Sequence, residues 1–172
     1  TTETAVVTLT SSGEVLGTCI NIYSNEHAAF LHYAIQKLLK ESGVSIKKLN
    51  AIGVSTGPGS YTGIRIGLAA ANGLSYALKI PMITYNALEL LATTTLKTTN
   101  LPDAFYCPMI DARRMEVYTA LYNYEMQEII QPSAMILEED SFYDKLNSGK
   151  IIFSGSGSEK FKKITKSENA LF

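Results

Sequence analysis

Residues 55–67 read Ser55-Thr56-Gly57-Pro58-Gly59-Ser60-Tyr61-Thr62-Gly63-Ile64-Arg65-Ile66-Gly67, and no other stretch says more about the architecture of the chain. It follows a short and nearly all-apolar segment, 51–55, which predicts a buried parallel strand. Pro58 and Gly59 suit the two central positions of a type II turn, and Ser60 can cap a helix over about 62–78. A strand, a glycine-rich turn and the start of a helix, in this order, are typical of α/β folds.

The glycine-rich loop is also a candidate anion site. The first amides of a helix attract negative charge, and four residues of the loop would line such a site: Gly57, Gly59, Ser60 and Tyr61. The loop lacks the Lys-Ser/Thr ending of a phosphate-cradling P-loop. A turn with a purely structural role is therefore the competing interpretation, and the sequence favours it.

The predicted helix 62–78 is lined by small residues. Glycine inside a helix costs about 0.5–1 kcal/mol relative to alanine, so several of them indicate that another backbone approaches closely. That backbone belongs to the chain's own sheet, to a helix of another subunit, or to both on different faces. The helix predicted over about 26–42 carries an apolar stripe. We expect the two helices to lie side by side and to present a partner-binding face made of Ala28, Leu31, Ile35, Leu38, Gly63, Gly67, Ala70 and Ala71.

The pattern of strands and helices starts twice along the chain. The first half is predicted to contain a hairpin over 5–9 and 15–22, a strand over 81–85 and a helix over 86–96. After a polar connector, the second half is predicted to contain strands over 105–111 and 116–124, a helix near 139–147, a strand over 151–154 and a helix from 156. The restart indicates an internal duplication, with a first lobe over 1–101 and a second lobe over 102–172.

Composition and charge narrow the function classes. Of the 172 residues, 46% are hydrophobic and 18% are charged, which is a globular balance. The formal net charge is -1, so overall charge does not favour a protein that grips nucleic acid alone. Cys19 and Cys107 lack a ligand-like spacing and predict two reduced thiols in the cytoplasm. Charged and polar residues interrupt the apolar runs, which predicts no membrane span. Because the chain does not begin with Met, we expect its start to be a cut.

A few polar residues are candidates for chemistry. His27 and His32 are five residues apart and do not share a helix face, so we expect no metal and no cofactor. The segment 111–114, Asp-Ala-Arg-Arg, could hold a phosphate or a partner carboxylate, or form a salt-bridged hairpin turn. The basic residues Lys160, Lys162, Lys163 and Lys166 predict either a solvated helix face or a contact with nucleic acid. Two histidines do not allow a catalytic Ser-His-Asp or Cys-His set to be assembled.

Taken with its flanks, the glycine motif resembles the bacterial TsaB family, also called the YeaZ family. Segments 57–67, 80–81, 86–92 and 110–118 carry the resemblance, which extends over nearly the whole chain. It implies an α/β, actin-like (ASKHA) fold made of a duplicated ribonuclease-H-like unit. Family members have a further first strand and several tens of residues beyond Phe172. We therefore expect a fragment whose first lobe lacks its first strand and whose second lobe is incomplete.

The resemblance also implies a function. The family takes part in adding threonylcarbamoyl to the adenosine beside the anticodon of tRNAs that read codons beginning with A. It acts as a dimerising partner of a catalytic paralogue, TsaD, with an ATPase, TsaE, and meets tRNA through the complex. The catalytic paralogue has a metal-binding histidine pair, whereas the corresponding residues 85–91 contain no histidine.

We therefore expect a non-catalytic subunit, which can also form a homodimer through the same face. The alternative is an actin-like ATPase or small-molecule kinase that uses the Gly57 loop and the turn 155–157 for phosphates. A third interpretation, peptidase activity, has only a label carried by the wider family.

Overall fold

The computed structural model describes residues 4–22 and 27–172, except for the side chain of His27. The chain divides into two compact units, Thr1–Tyr85 and Asn86–Phe172. The division falls before the helix over 86–96, which the sequence analysis placed in the first lobe. That helix packs against strands of the second unit, as described below.

The first unit contains the hairpin and the two long helices predicted from the sequence. Strands β1 (Ala5–Ser11) and β2 (Glu14–Asn21) pair antiparallel. Helix α1 (His27–Ser42) and a short 3₁₀ helix (Ile46–Lys48) follow, and residue 26, where the first helix was predicted to begin, lies outside the described residues. Strand β3 (Ile52–Ser55), helix α2 (Tyr61–Leu78) and strand β4 (Met82–Tyr85) complete the unit. The parallel pairing of β3 with β4 confirms the prediction of a parallel strand.

The helices of the first unit cover its strands. Helix α1 packs against both strands of the hairpin, helix α2 packs against β3 and β4, and the two helices contact each other. Alternate residues of β1 are more buried than their neighbours, which is the period of two expected for a strand with one covered face.

The second unit is built on a five-stranded sheet with the order β7-β6-β5-β8-β9. Its elements are α3 (Ala87–Thr99), β5 (Ala104–Asp111), β6 (Glu116–Tyr122), β7 (Glu128–Ile136), α4 (Tyr143–Ser148), β8 (Lys150–Ser154), α5 (Ser158–Lys162) and β9 (Ala170–Leu171). Strands β5, β6 and β7 pair antiparallel, whereas β8 pairs parallel to β5 and to β9. Helix α3 packs against β5, β6 and β8.

Strands β7 and β9 were not predicted from the sequence. Strand β7 contains Pro132, which cannot donate a hydrogen bond to a neighbouring strand, and the sequence pattern there lacks clear alternation. The structure places β7 at the edge of the sheet, where a proline is tolerated. Strand β9 has only two residues and leaves no periodic signal.

The sheet of the second unit has a core on each face. Cys107 and Met109 of β5 point into a cluster that includes residues of α4 and α5, and Tyr106 and Ile110 point into a cluster that includes residues of α3. Three phenylalanines hold the first cluster together by edge contacts: Phe142, Phe153 and Phe161. Because both faces are covered, the central strands of this unit are almost fully buried.

Candidate functional site

The glycine-rich loop connects β3 to α2, as the sequence predicts, but its turn differs from the expected type II turn. The Gly57–Pro58 peptide is cis, the φ of Gly57 is 99° and the φ of Gly59 is 159°. A type II turn would need a trans proline followed by a φ near +80°. The predicted cap is confirmed, because the Ser60 hydroxyl accepts a hydrogen bond of 3.3 Å from the Gly63 N–H.

Several polar groups of the loop form hydrogen bonds with other residues of the first unit. The Thr56 N–H and hydroxyl both donate to the carbonyl of Tyr85, and the Gly57 N–H donates to the Ser55 hydroxyl. The Arg65 guanidinium lies 4.3 Å from the centre of the Tyr61 ring, which is a cation–π contact. These contacts favour the structural interpretation of the loop over the anion site.

The predicted partner-binding face divides between buried and accessible residues. Leu38 and Ala71 are buried inside the first unit, and a side chain at Gly67 would lie 3.7 Å from Val54 of β3. Part of the small-residue side of α2 therefore faces the chain's own sheet. The other predicted residues range from half-buried to exposed: Leu31, Ile35, Gly63 and Ala70 are half-buried, and Ala28 is exposed.

A second line of residues on α2 is open to solvent and was not singled out from the sequence. It consists of Tyr61, Arg65, Ala69, Gly73 and Tyr76, at spacings of three and four, and we call it the α2 stripe. Tyr61 and Tyr76 are 69% and 87% exposed. Ala69, Gly73 and the two tyrosines could have been recognised in the sequence. Two sides of α2 carry small residues, however, and helical spacing alone does not show which of them faces the sheet.

Helix α1 also has exposed residues. Tyr33 is 63% exposed, and Ala29 and His32 are exposed as well. A tyrosine combines a large apolar ring with a hydroxyl at its tip, which suits it to protein interfaces. The pair of helices thus presents exposed tyrosines and small residues.

In the second unit, polar residues gather where β5 and β6 are joined. Asp111 Oδ1 accepts hydrogen bonds from the Lys160 ammonium at 2.8 Å and from the Arg113 N–H at 2.6 Å. The Lys160 ammonium lowers the pKa of the Asp111 carboxyl, and the hydrogen bond from Arg113 adds to this effect. The Asp111 N–H donates to the Ser156 hydroxyl at 3.2 Å. The predicted salt-bridged hairpin turn is present, but the cation that pairs with Asp111 is Lys160.

Most of the predicted basic run is engaged in ion pairs. Besides Lys160, Lys162 pairs with Glu159 at 3.9 Å and Lys166 pairs with Glu139 at 2.6 Å. These pairs offset much of the local positive charge, and they favour a solvated face over a nucleic-acid contact for this run.

The described residues show neither a cluster of metal ligands nor a helix suited to a membrane. Within residues 4–22 and 27–172, no group of three His, Cys, Asp or Glu side chains is placed to hold a metal ion. His32 is exposed, and the side chain of His27 lies outside the described part. Over the same residues, no helix is long and apolar enough to cross a membrane.

Comparisons with known proteins give a consistent result. The family model described as TsaD, tRNA N6-adenosine threonylcarbamoyltransferase, matches residues 17–170. The chain is 29% identical to the tRNA threonylcarbamoyladenosine biosynthesis protein TsaB of Bacillus subtilis, over 92% of this chain and 69% of the relative. It is also 29% identical to the TsaB protein of Escherichia coli, over 91% of this chain and 68% of the relative. The chain therefore spans about two thirds of the length of these relatives.

A solved structure is also similar to this chain. It is described as an uncharacterized protein with similarity to peptidase YEAZ from Pseudomonas aeruginosa, and it superposes with a TM-score of 0.84 at 26% identity. The superposition covers 99% of this chain and 79% of that structure.

Proposed function

The chain belongs to the TsaB/YeaZ family and has the α/β, actin-like (ASKHA) fold that the resemblance implies, and from this premise we propose that it is a partner subunit in the biosynthesis of threonylcarbamoyladenosine in tRNA. It performs no chemistry itself. It binds a TsaD-like catalytic paralogue, in a complex that also includes a TsaE-like ATPase and through which tRNA is reached. The same surface forms a homodimer when the paralogue is absent.

The observation that carries this proposal is the exposed surface of α1 and α2. Large exposed aromatic side chains beside small residues allow another helix to approach closely and to bury the rings. Tyr76 is 87% exposed and Ala69 and Gly73 lie on the same side of α2. A partner helix packed along the α2 stripe would exclude water from both tyrosines.

The contacts of Asp111 support a non-catalytic role. Nucleotide chemistry of the ATPase or kinase type needs carboxylates that can hold a magnesium ion. The Asp111 carboxylate already accepts hydrogen bonds from Lys160 and from the Arg113 backbone, and Lys160 compensates its charge. The Gly57 loop offers no lysine to a phosphate. The peptidase label belongs to a relative, and among the described side chains no nucleophile with a histidine base supports it.

The function is tested by reconstitution with the full-length protein. A TsaD-type subunit, a TsaE-type ATPase and an unmodified tRNA transcript are incubated with the threonylcarbamoyl donor, and the modified nucleoside is measured by mass spectrometry. We expect product with all three proteins, and none when this protein is omitted or acts alone. Product formed without it, or by it alone, would refute the proposal.

The partner surface is tested by Ala69→Glu, which puts a charge in the middle of the α2 stripe. We expect affinity for the TsaD-type subunit, measured by calorimetry, to fall at least about tenfold, which corresponds to about 1.4 kcal/mol. Ala134→Glu is the matched control, because Ala134 is equally open to solvent on β7 of the second unit. If both variants bind as the wild type does, the α2 stripe is not the interface.

A further inference from the structure

The turn between β5 and β6 holds two arginines in an unfavourable backbone conformation. Arg113 has a φ of 75° and Arg114 a φ of 45°. Among the described residues, this is the one place where two consecutive non-glycine residues have positive φ. Glycine, asparagine and aspartate adopt this conformation at lower cost, and they dominate such hairpin turns. A pair of long cationic side chains here therefore indicates a role for the side chains themselves.

The choice of arginine is also unusual within this chain. Of its 15 basic residues, only Arg65, Arg113 and Arg114 are arginines. Arg65 stacks on the Tyr61 ring. The other two arginines are both in the turn between β5 and β6. Lysine and arginine carry the same charge, but the planar guanidinium can bind two oxygens of one phosphate or carboxylate at once.

Hydrogen bonds between residues at the two ends of the turn, and from Lys160 to both ends, hold the turn in a fixed shape. The Lys160 ammonium donates to Asp111 Oδ1 before the turn and to the Glu116 carbonyl after it, at 2.8 and 3.1 Å. The Glu116 N–H donates to the Arg113 carbonyl at 3.0 Å. Lys160 thus bonds to both ends of the hairpin turn and compensates the charge of the Asp111 carboxylate. The backbone that carries the two arginines is therefore held in place.

Both arginine side chains are available for such an anion. They are exposed, and in the described part of the chain neither takes part in an ion pair. The lysines of the nearby basic run differ, because Lys160, Lys162 and Lys166 are each paired with an acidic residue.

We propose that Arg113 and Arg114 form a phosphate-binding turn that contacts the backbone of the tRNA substrate. This inference rests on the proposed function, since it names where this subunit touches the RNA that the complex modifies. It also fits the net charge of -1, because a contact confined to one turn needs no basic surface over the whole protein. Two phosphate contacts would change the slope of log affinity against log salt by about 1–2.

The test uses the assembled complex and an unmodified transcript of a tRNA that reads codons beginning with A. The variant is Arg113→Asn/Arg114→Asn, because asparagine tolerates positive φ and removes both charges. We expect KM for tRNA to rise about tenfold or more, kcat to stay unchanged, and the salt slope to fall by about 1–2. Arg113→Lys/Arg114→Lys keeps the charges but loses the planar guanidinium, so it should keep the wild-type salt slope and recover only part of the affinity.

The matched control is Lys47→Asn/Lys48→Asn, which removes two consecutive exposed cations from the 3₁₀ helix of the first unit. Its KM should change less than about twofold. An unchanged KM in the arginine variant, an equal rise in the control, or a loss of affinity for the TsaD-type subunit without tRNA would each overturn the phosphate contact. Should the double variant not fold, the single variants replace it, each with about half of the slope change. If the wild-type complex forms no product, the proposed function fails with it, which is a different outcome.

Discussion

The two units share the same kinds of strand pairing, but among the described residues a continuous sheet is found in the second unit alone. In the second unit, β5 lies between its antiparallel neighbour β6 and its parallel neighbour β8, and it joins all five strands. In the first unit, the hairpin β1–β2 resembles β6–β7 and the parallel pair β3–β4 resembles β8–β9. No counterpart of β5 occurs among the described residues of that unit.

The difference teaches how much of the core depends on a central strand. Of the 21 buried apolar residues among those described, 18 lie in the second unit and 3 in the first. Val6 and Ile20 face each other across the β1–β2 hairpin, yet they are 57% and 62% exposed. In the second unit, helices cover both faces of β5 and β6, so the same kinds of side chain are buried. Apolar composition alone therefore does not make a core, because the strands must also be covered on both faces.

The largest contrast that we expect between the units is in thiol reactivity. Burial raises the pKa of the Cys107 thiol from 9.0 to about 12, which leaves about a thousandfold less thiolate at any pH below both values. Cys19, on β2 of the first unit, is partly exposed. With an aromatic disulfide reagent at pH 8, we expect one fast thiol and one that reacts only after unfolding. Cys19→Ala should abolish the fast phase, and equal rates for the two thiols would contradict the contrast in burial.

A second contrast concerns the space available to a side chain at glycine positions, which is very small at Gly155 in the second unit. Gly155 has a φ of 93°, and a side chain there would collide with the Met109 carbonyl and with Leu91. We expect Gly155→Ala to lower the free energy of unfolding by about 2–4 kcal/mol, from backbone strain together with overpacking. Urea unfolding measures this. Gly149→Ala is the control, because its backbone is extended and a side chain would make ordinary contacts at 3.8 Å with Phe105. Equal losses in both variants would contradict the prediction.

Gly73, in the first unit, differs from Gly155 because it has open space where a side chain would lie. A side chain there would meet nothing within 4 Å, and the residue lies inside α2. Gly73→Ala should raise the free energy of unfolding by about 0.5–1 kcal/mol, because alanine loses less conformational entropy in a helix. The same urea experiment reports the change. A loss of stability would mean that another backbone already approaches α2 at this position.

Local signals in the sequence predicted most of the elements that stand in the structure. The hairpin β1–β2, helix α2 with its Ser60 cap, and the parallel strand β3 follow from alternation, cap chemistry and a short apolar run. Strand β7 was missed because its existence depends on the neighbouring edge that β6 offers rather than on its own residues. Tertiary pairing overrides weak local propensity in this way.

The candidate site was harder to predict for a similar reason. Gly67 and Ala69 are both small residues of α2, yet one faces β3 and the other faces solvent. That choice depends on how the helix packs on the sheet. Lys160 and Asp111 are 49 residues apart, and no spacing rule links them. The residues 111–114 could be recognised as a charged turn, but the availability of the two arginines required the positions of every carboxylate around them.

The smallest effect that we predict concerns the ion pair at the foot of the β5–β6 turn, which has no counterpart in the first unit among the described residues. The pKa of Asp111 is lowered in the folded state, so its contribution to stability is present above the ordinary value of 3.8 and is lost as the pH falls through the lower folded value. The Asp111 side chain is 41% exposed, and solvent weakens the pair to a few tenths of a kcal/mol. Asp111→Asn should lower the stability at pH 7 by that small amount. The difference from the wild type should vanish as the wild-type carboxyl is protonated in acid.

Urea unfolding at a series of pH values measures both curves. The control is Glu125→Gln, because Glu125 is an exposed loop residue with no resolved ion pair among the described residues. Two curves that stay parallel down to the acid limit would show that Lys160 holds the turn through its bond to the Glu116 carbonyl, and that the charge of Asp111 contributes nothing.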